Sequence, residues 1–150
     1  MRRLALVLIV FVASTVIGSA TARAAGLADY LWERRPLLVF APSQDDARLM
    51  ETLGRIEASR CDFVDRDMVL GVVVTEGDST LDGQVINADE ARRLAKQYGV
   101  GADAFTVVLL GKDGGEKRRV NAAPDLQAIY DLIDGMPMRS TEMRADPGRC

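Results

Sequence analysis

The chain has 150 residues, a length that fits one domain, and its 19 Lys and Arg against 22 Asp and Glu give a formal net charge of -3. This acidic balance argues against a nucleic-acid partner, because phosphate binding needs a basic surface. The chain contains no histidine, which excludes Ser-His-Asp and Cys-His nucleophiles, an imidazole general base and a His-ligated zinc site.

The first 24 residues have the pattern of an export signal. Arg2 and Arg3 precede an apolar run from Leu4 to Ala13, and Ala22-Arg23-Ala24 supplies the small residues that a signal peptidase requires. This run is too short to span a bilayer, which needs about 20 residues. We therefore predict cleavage before Ala25 and a mature domain over residues 25–150 with a short C-terminal tail. This domain should be periplasmic or secreted and should have no stable membrane span.

The mature chain predicts the element order β-α-β-α-β-β-α after a short initial helix over residues 27–32. Apolar, β-branched runs indicate buried strands, and Lys112-Asp113-Gly114-Gly115 indicates a hairpin turn. Helix starts are indicated by Ser43 as a cap ahead of Asp45 and Asp46, by Asn87 with Glu90, and by Pro124. The expected strands cover residues 36–41, 68–74, 105–110 and 116–120, with helices over about 43–59, 87–99 and 124–135 and a polar loop over 75–86.

This order predicts an α/β domain with a thioredoxin-like topology. A βαβ unit is right-handed and parallel, and the later hairpin adds antiparallel strands to the same sheet. We therefore expect a four-stranded mixed sheet with helices on both faces.

In such a fold, redox chemistry is located where the first strand passes into the first helix, because the helix N-terminus stabilises a thiolate. Here that junction reads Phe40-Ala41-Pro42-Ser43-Gln44-Asp45-Asp46 and contains no cysteine. The stretch Ala104-Phe105-Thr106-Val107 lacks the proline that precedes the third strand in thioredoxins. Ser43 is interpreted as a helix cap, because the sequence offers no histidine to activate its hydroxyl. The sequence thus favours a non-catalytic domain that needs no cofactor.

The two cysteines leave two interpretations open. Cys61 follows the first helix, about 24 Å from the usual active pole if the helix has some 16 residues. A disulfide from Cys61 to Cys150 would suit an oxidising compartment and would close a long loop. The alternative is a thiol-dependent, peroxiredoxin-like protein that uses Cys61 or Cys150.

Two further surfaces have a structural and a functional interpretation each. Met136, Met138 and Met143 could bind Cu(I) through their thioethers, although Met residues after a helix usually fill gaps in a core. A basic group of Lys112, Lys117, Arg118 and Arg119 on the last hairpin could bind an acidic partner or glycan. Its structural interpretation is an edge strand that charge protects from aggregation.

Several segments together resemble domain-of-unknown-function family 4174, which occurs in exported bacterial proteins. These segments are Asp29-Tyr30-Leu31-Trp32, residues 35–42, Asp65-Arg66-Asp67, residues 110–115 and Met136-Pro137-Met138-Arg139 with Glu142-Met143. Related domains occur in two animal extracellular proteins, the sushi-repeat-containing protein and coiled-coil domain-containing protein 80. The resemblance implies a thioredoxin-like, peroxiredoxin-related fold that usually lacks redox cysteines.

We therefore expect a non-catalytic exported domain that binds a protein or envelope component. The animal relatives suggest binding at a matrix or cell surface, by analogy at the level of the fold alone. Candidate contact residues are the charged residues inside the family-like segments, namely Arg35, Asp65, Arg66, Asp67, Lys112 and Arg139.

Overall fold

The computed structural model describes residues 26–148, so the predicted export signal and Cys150 lie outside the described residues. A short 3-10 helix, Leu27–Tyr30, comes first. The strands are β1 (Arg35–Ser43), β2 (Met68–Glu76), β3 (Ser79–Leu81), β4 (Gln84–Ile86), β5 (Thr106–Leu110) and β6 (Glu116–Val120). The helices are α1 (Ala47–Ala58), α2 (Arg60–Asp65), α3 (Ala88–Gln97), α4 (Leu126–Asp134) and α5 (Pro137–Ala145). None of the helices between residues 26 and 148 is long and apolar enough to cross a membrane.

The sheet has six strands in the order β4-β3-β2-β1-β5-β6, so the prediction of four strands is wrong. The four predicted strands form the centre and one edge, with β1 parallel to β2 and antiparallel to β5. The two additional strands form a hairpin inside the segment that was predicted to be a loop. Asp82 and Gly83, which join β3 to β4, have φ values of 51° and 75°, as the turn of a tight hairpin requires.

Alternation along β1 divides the core between the two faces of the sheet. Leu37 and Val39 belong to the core under α1, α2 and α4, whereas Leu38 and Phe40 belong to the core under α3. Helices thus cover both faces, as the sequence predicts. Leu94 of α3 is completely buried and fastens that helix to the sheet.

The helices differ from the prediction in several places. Helix α2 was not predicted, and α4 begins at Leu126 behind its cap Asp125 instead of at Pro124. Ser43 is the last residue of β1, and Asp46 caps α1 by accepting a hydrogen bond from the backbone N–H of Arg48 at 2.9 Å. The carboxylate of Asp46 therefore takes the role that the sequence assigned to the hydroxyl of Ser43. The structure also contains α5, which the sequence did not predict, with Pro137 in its first turn.

Candidate functional site

Three of the six predicted contact residues meet at the amino end of β1. The guanidinium of Arg35 binds both carboxylate oxygens of Glu142 at 2.9 and 3.0 Å. The ammonium of Lys112 lies 2.7 Å from Asp67 and 2.7 Å from Glu142. We call Arg35, Asp67, Lys112 and Glu142 the buried charge network, because Arg35 is 1% exposed and Lys112 is 8% exposed. Burial alone would raise the pKa of Glu142, but hydrogen bonds from Arg35 and Lys112 hold it below its ordinary value.

The other three predicted residues meet beside this network and share a fourth residue, Asp134. Arg66 binds the Asp134 carboxylate at 2.7 and 3.1 Å, and Arg139 contacts the same carboxylate at 3.2 Å. Arg139 also donates to the backbone carbonyl of Asp65 at 2.8 Å and pairs with its side chain. The guanidinium of Arg66 lies 4.7 Å from the ring centroid of Tyr130.

The prediction missed the two acids that complete these groups, Asp134 and Glu142. The six predicted residues comprise four cations and two anions, an imbalance that a buried cluster does not tolerate without further acids. Glu142 lies three positions after Arg139 within a family-like segment, and this spacing was the available signal.

These contacts support a structural role for the six residues. They join β1, the chain between α2 and β2, the turn after β5, and helices α4 and α5. Because the charged groups face one another and are largely buried, they leave little polar surface for a partner. Their predicted role in binding a partner stays a prediction.

The opposite pole, at the carboxyl end of β1, lies about 26 Å from Arg35 along an extended strand. There the carboxylate of Asp46 binds the guanidinium of Arg48 at 2.6 and 3.0 Å. This contact lowers the pKa of Asp46 to about 2. The first turn of α1 is therefore already occupied by the protein's own anion, which disfavours a second anion or a thiolate at the same place.

Hydrogen bonds tie three loops together at this pole. The side-chain amide of Gln44 donates to the carbonyl of Asp78 at 3.0 Å, and the hydroxyl of Thr75 donates to the carbonyl of Ala102 at 2.8 Å. Gly77 has a φ of 107°, and a Cβ there would lie 3.1 Å from Gln44. The loop after β1 is thus tied to the loop after β2, and the end of β2 is tied to the loop before β5, so that these segments form one connected rim.

A cleft of about 790 Å³ opens beside this rim, between α3 and the sheet. We call it the α3 cleft. Its apolar wall is formed by β1, β2, β4, α3 and the loop before β5, through Phe40, Ala41, Val73, Val74, Val85, Ile86, Ala88, Ala91, Ala95, Val100, Ala102 and Ala104. Such a volume falls in the range of about 300–1,000 Å³ that is typical of ligand sites. Clefts outside the carboxyl ends of parallel strands are also the usual binding places of open α/β sheets.

Three of the α3 residues that line the cleft are alanines, whose small side chains leave space against the sheet. Ala88, Ala91 and Ala95 follow one another at helical spacing and all line the cleft. Val85 and Ile86 of β4 both line it as well. These two residues lie at the carboxyl end of β4, which is an edge strand of the described sheet.

Polar groups lie at the margin of the α3 cleft. Lys96 lines it and is exposed, and within residues 26–148 it takes part in no ion pair. Asp78, Asn87 and Arg92 also line it. The described residues contain no group of three or more acids or cysteines that could hold a metal ion.

Met136 is the N-terminal cap of α5, whereas Met138 and Met143 lie within that helix. Met136 packs against the core under α1 and α4, whereas Met138 is 41% exposed. Met138 and Met143 are five positions apart on α5, which separates them by about 140° around the helix. This placement favours the gap-filling interpretation at Met136.

The basic group predicted on the last hairpin is not formed as expected, because Lys112 is buried in the charge network. Lys117 pairs with Asp113 at 2.7 Å, and Arg119 pairs with Glu116 at 2.8 Å. These contacts support the interpretation of β6 as a charged edge strand.

Cys61 is an exposed residue of α2, beyond the carboxyl end of α1, as predicted. It therefore lies away from the pole where a thioredoxin-like redox site would be. Cys150 lies outside the described residues, so a disulfide between the two stays a prediction.

Comparisons with known proteins agree with the resemblance seen in the sequence. A family model described as "Domain of unknown function (DUF4174)" matches residues 26–142. Coiled-coil domain-containing protein 80 of Danio rerio is 26% identical over 133 residues, which cover 78% of this chain and 15% of that protein. The chain thus spans only a small part of this relative's length.

Two solved structures have a similar fold. Thioredoxin peroxidase I of Plasmodium yoelii matches with a TM-score of 0.54 and 16% identity, covering 83% of this chain and 82% of that one. The reduced 2-Cys peroxiredoxin of Plasmodium vivax matches with a TM-score of 0.57 and 17% identity, covering 77% of this chain and 84% of that one. At these identities the likeness concerns the fold alone, which is thioredoxin-like.

Proposed function

This chain belongs to the DUF4174 family, and we propose that it is a non-catalytic exported domain that binds a protein partner in the α3 cleft. The observation that carries the proposal is the position of the cleft. It opens at the carboxyl end of β1, where a thioredoxin-like fold has its functional pole, while the junction from Phe40 to Asp46 contains no thiol. The fold thus keeps a binding surface beside a site that lacks the reactive group.

An extended apolar segment of a protein suits this cleft. The outer edge of β4 has no neighbouring strand in the described sheet, so its backbone groups can pair with an added strand. The apolar wall under α3 can receive side chains of that strand. Lys96 at the margin can pair with an acidic group of the partner.

Cross-linking in living cells tests this proposal. A photoreactive amino acid is placed at position 85, because Val85 is 64% exposed at the cleft, and at position 50 as a control. Met50 is 57% exposed on α1, which covers the other face of the sheet. We expect a protein adduct from position 85 and none of the same mass from position 50.

Filling the cleft should remove the adduct. Ala95→Phe adds a ring at a half-buried position that lines the cleft, and Ala88→Phe adds one at an exposed lining position, where we expect the fold to tolerate the change. Ala58→Phe is the matched control, because Ala58 is exposed on α1. Identical adducts from both positions, or adducts unaffected by both cleft variants, would contradict a partner site in the α3 cleft.

A disulfide between Cys61 and Cys150 fits the non-catalytic role. The ion pair between Arg139 and Asp65 holds α5 against α2, which contains Cys61. The chain from Ala145 to Cys150 is only five residues long and can reach at most about 17 Å. Thiol titration of the denatured exported protein should find no reactive thiol before reduction. A reactive low-pKa thiol together with turnover of peroxide would instead support the redox alternative.

A further inference from the structure

Trp32 combines an unusual backbone conformation with an exposed side chain. Its φ is 67°, in the left-handed region that a bulky residue rarely adopts, and it is 66% exposed. Its backbone N–H donates to the carbonyl of Lys112 at 2.6 Å. Because Lys112 is fixed in the buried charge network, its hydrogen bond to the Trp32 backbone can maintain this strained conformation. The fold therefore presents the indole to solvent at a defined place.

The residue before Trp32 is held by the same turn. A Cβ on Gly114, whose φ is 78°, would lie 2.7 Å from the side chain of Leu31. Leu31 is itself 41% exposed. Leu31 and Trp32 thus form an exposed apolar projection on a rigid base, and tryptophan is one of the residue types enriched among the residues that dominate binding energy at protein interfaces.

A pocket of about 240 Å³ lies directly beside this projection. It is lined by Tyr30, Leu31, Arg34, Pro36, Tyr98 and Leu110, among others. This volume is below the range of about 300–1,000 Å³ for small-molecule sites, so the pocket is the size of a single large side chain. A projection and a pocket therefore lie side by side on one surface.

This surface is also complementary in charge to a second copy of itself, because it carries one acid and one base side by side. Glu33 and Arg34 are both exposed, and neither takes part in an ion pair within the part of the chain that the structure describes. In a twofold arrangement a surface meets a copy of itself, so that residue i contacts j and j contacts i. Glu33 of one copy can then pair with Arg34 of the other, twice.

We infer that two copies of this chain associate about a twofold axis, with the Trp32 indole of each copy inserted into the Tyr30–Tyr98 pocket of the other. In this arrangement the pocket of the second copy receives the projection of the first, the projection of the second copy fills the pocket of the first, and each charge meets an opposite charge. This association uses a different surface from the α3 cleft and does not depend on the function proposed for it.

Trp32 is the only tryptophan of the chain, so intrinsic fluorescence reports on this residue alone. With the exported protein, sedimentation should show a mass that rises toward twice that of the monomer as concentration increases. The emission maximum should move to shorter wavelength over the same concentrations, because the indole leaves water. A monomer at every concentration, or a doubled mass with unchanged emission, overturns the inference.

Variants separate this interface from any other. Trp32→Gly should remain monomeric and folded, because glycine adopts the left-handed conformation without strain. Glu33→Arg should abolish the change in mass, and the double variant Glu33→Arg/Arg34→Glu should restore it together with the emission shift. Met50→Ala, an exposed apolar residue on α1, should associate as the wild type does. Association that persists in Trp32→Gly, or that the charge exchange does not restore, overturns the proposed interface.

Discussion

Replacing Glu142 with glutamine tests whether the buried charge network stabilises the fold. The four members of the network have a net charge of zero, and the replacement leaves one excess positive charge beside Arg35, which is 1% exposed. Breaking a buried ion pair by removing one partner costs about 3–5 kcal/mol. Because Lys112 keeps Asp67 at 2.7 Å, we expect a loss near the lower end, about 3 kcal/mol of the free energy of unfolding. That is a large part of the roughly 5–15 kcal/mol of a typical domain.

Urea unfolding followed by circular dichroism measures this loss. Glu57→Gln is the matched control, because its ion pair with Arg60 is 3.5 Å long and both side chains are more than two-thirds exposed. It should change the free energy of unfolding by less than about 0.5 kcal/mol.

A double-mutant cycle with Arg35→Met isolates the pair. Removing Arg35 from the Glu142→Gln protein also removes the uncompensated charge. The double variant should therefore lose at least about 1 kcal/mol less free energy of unfolding than the sum of the two single losses. Losses that add within about 0.5 kcal/mol would show that Arg35 and Glu142 do not stabilise each other. A Glu142→Gln variant as stable as the control would show that the network does not stabilise the fold.

Other predictions concern pH, capping and packing. Burial raises the pKa of Glu142, but its two cationic partners outweigh this effect and hold the pKa below 4.5. The stability from Glu142 is therefore complete above pH 4.5 and is lost as pH falls through the lowered pKa, so wild type and Glu142→Gln should converge in urea unfolding at acid pH. Asp125→Ala should cost about 1 kcal/mol in the same assay, because Asp125 accepts from two backbone N–H groups of α4 at 3.0 and 3.3 Å. Gly71→Ala should cost about 1–3 kcal/mol, because its Cβ would lie 2.6 Å from a methyl group of Leu38. Gly54→Ala in α1 meets no atom within 4 Å and should instead stabilise by about 0.5–1 kcal/mol.

The central strands were predictable because each is a compact apolar run that only a sheet buried on both faces accommodates. The hairpin of β3 and β4 was missed because its strands have three residues each, too few for a periodicity to appear. Its turn sequence, Asp82-Gly83, was nevertheless a hairpin signal in the segment interpreted as a loop. The cap of α1 was misplaced because β1 continues through Pro42 and Ser43.

The charge network shows a different limit of sequence reasoning. Arg35 and Glu142 are 107 positions apart, and Lys112 and Asp67 are 45 apart. Residue types and local spacing identify such groups as charged but do not determine whether they face solvent or one another, because that depends on how distant elements pack. The α3 cleft also depends on how distant elements pack. The apolar stripe of α3 is evident in the sequence, but the space that its alanines leave depends on the sheet opposite them.

The positions of the two sites bear on what relatives of this chain share. The family-like segments at Asp65–Asp67, Lys112 and Arg139 lie at the amino end of β1, where they bind one another. The α3 cleft lies at the other end of the same strand. Among all the family-like segments, only residues 35–42 contribute to it, through Phe40 and Ala41. Under the proposed function, stability thus depends on the pole at Arg35, whereas binding of a partner depends on the other pole. The proposal therefore predicts that members of the family share the charge network and differ in the residues of α3 and β4 that line the cleft. Ligand identity should accordingly be sought in the cleft, and exchange of α3 and β4 residues between two relatives should transfer the cross-linked partner without changing stability toward acid.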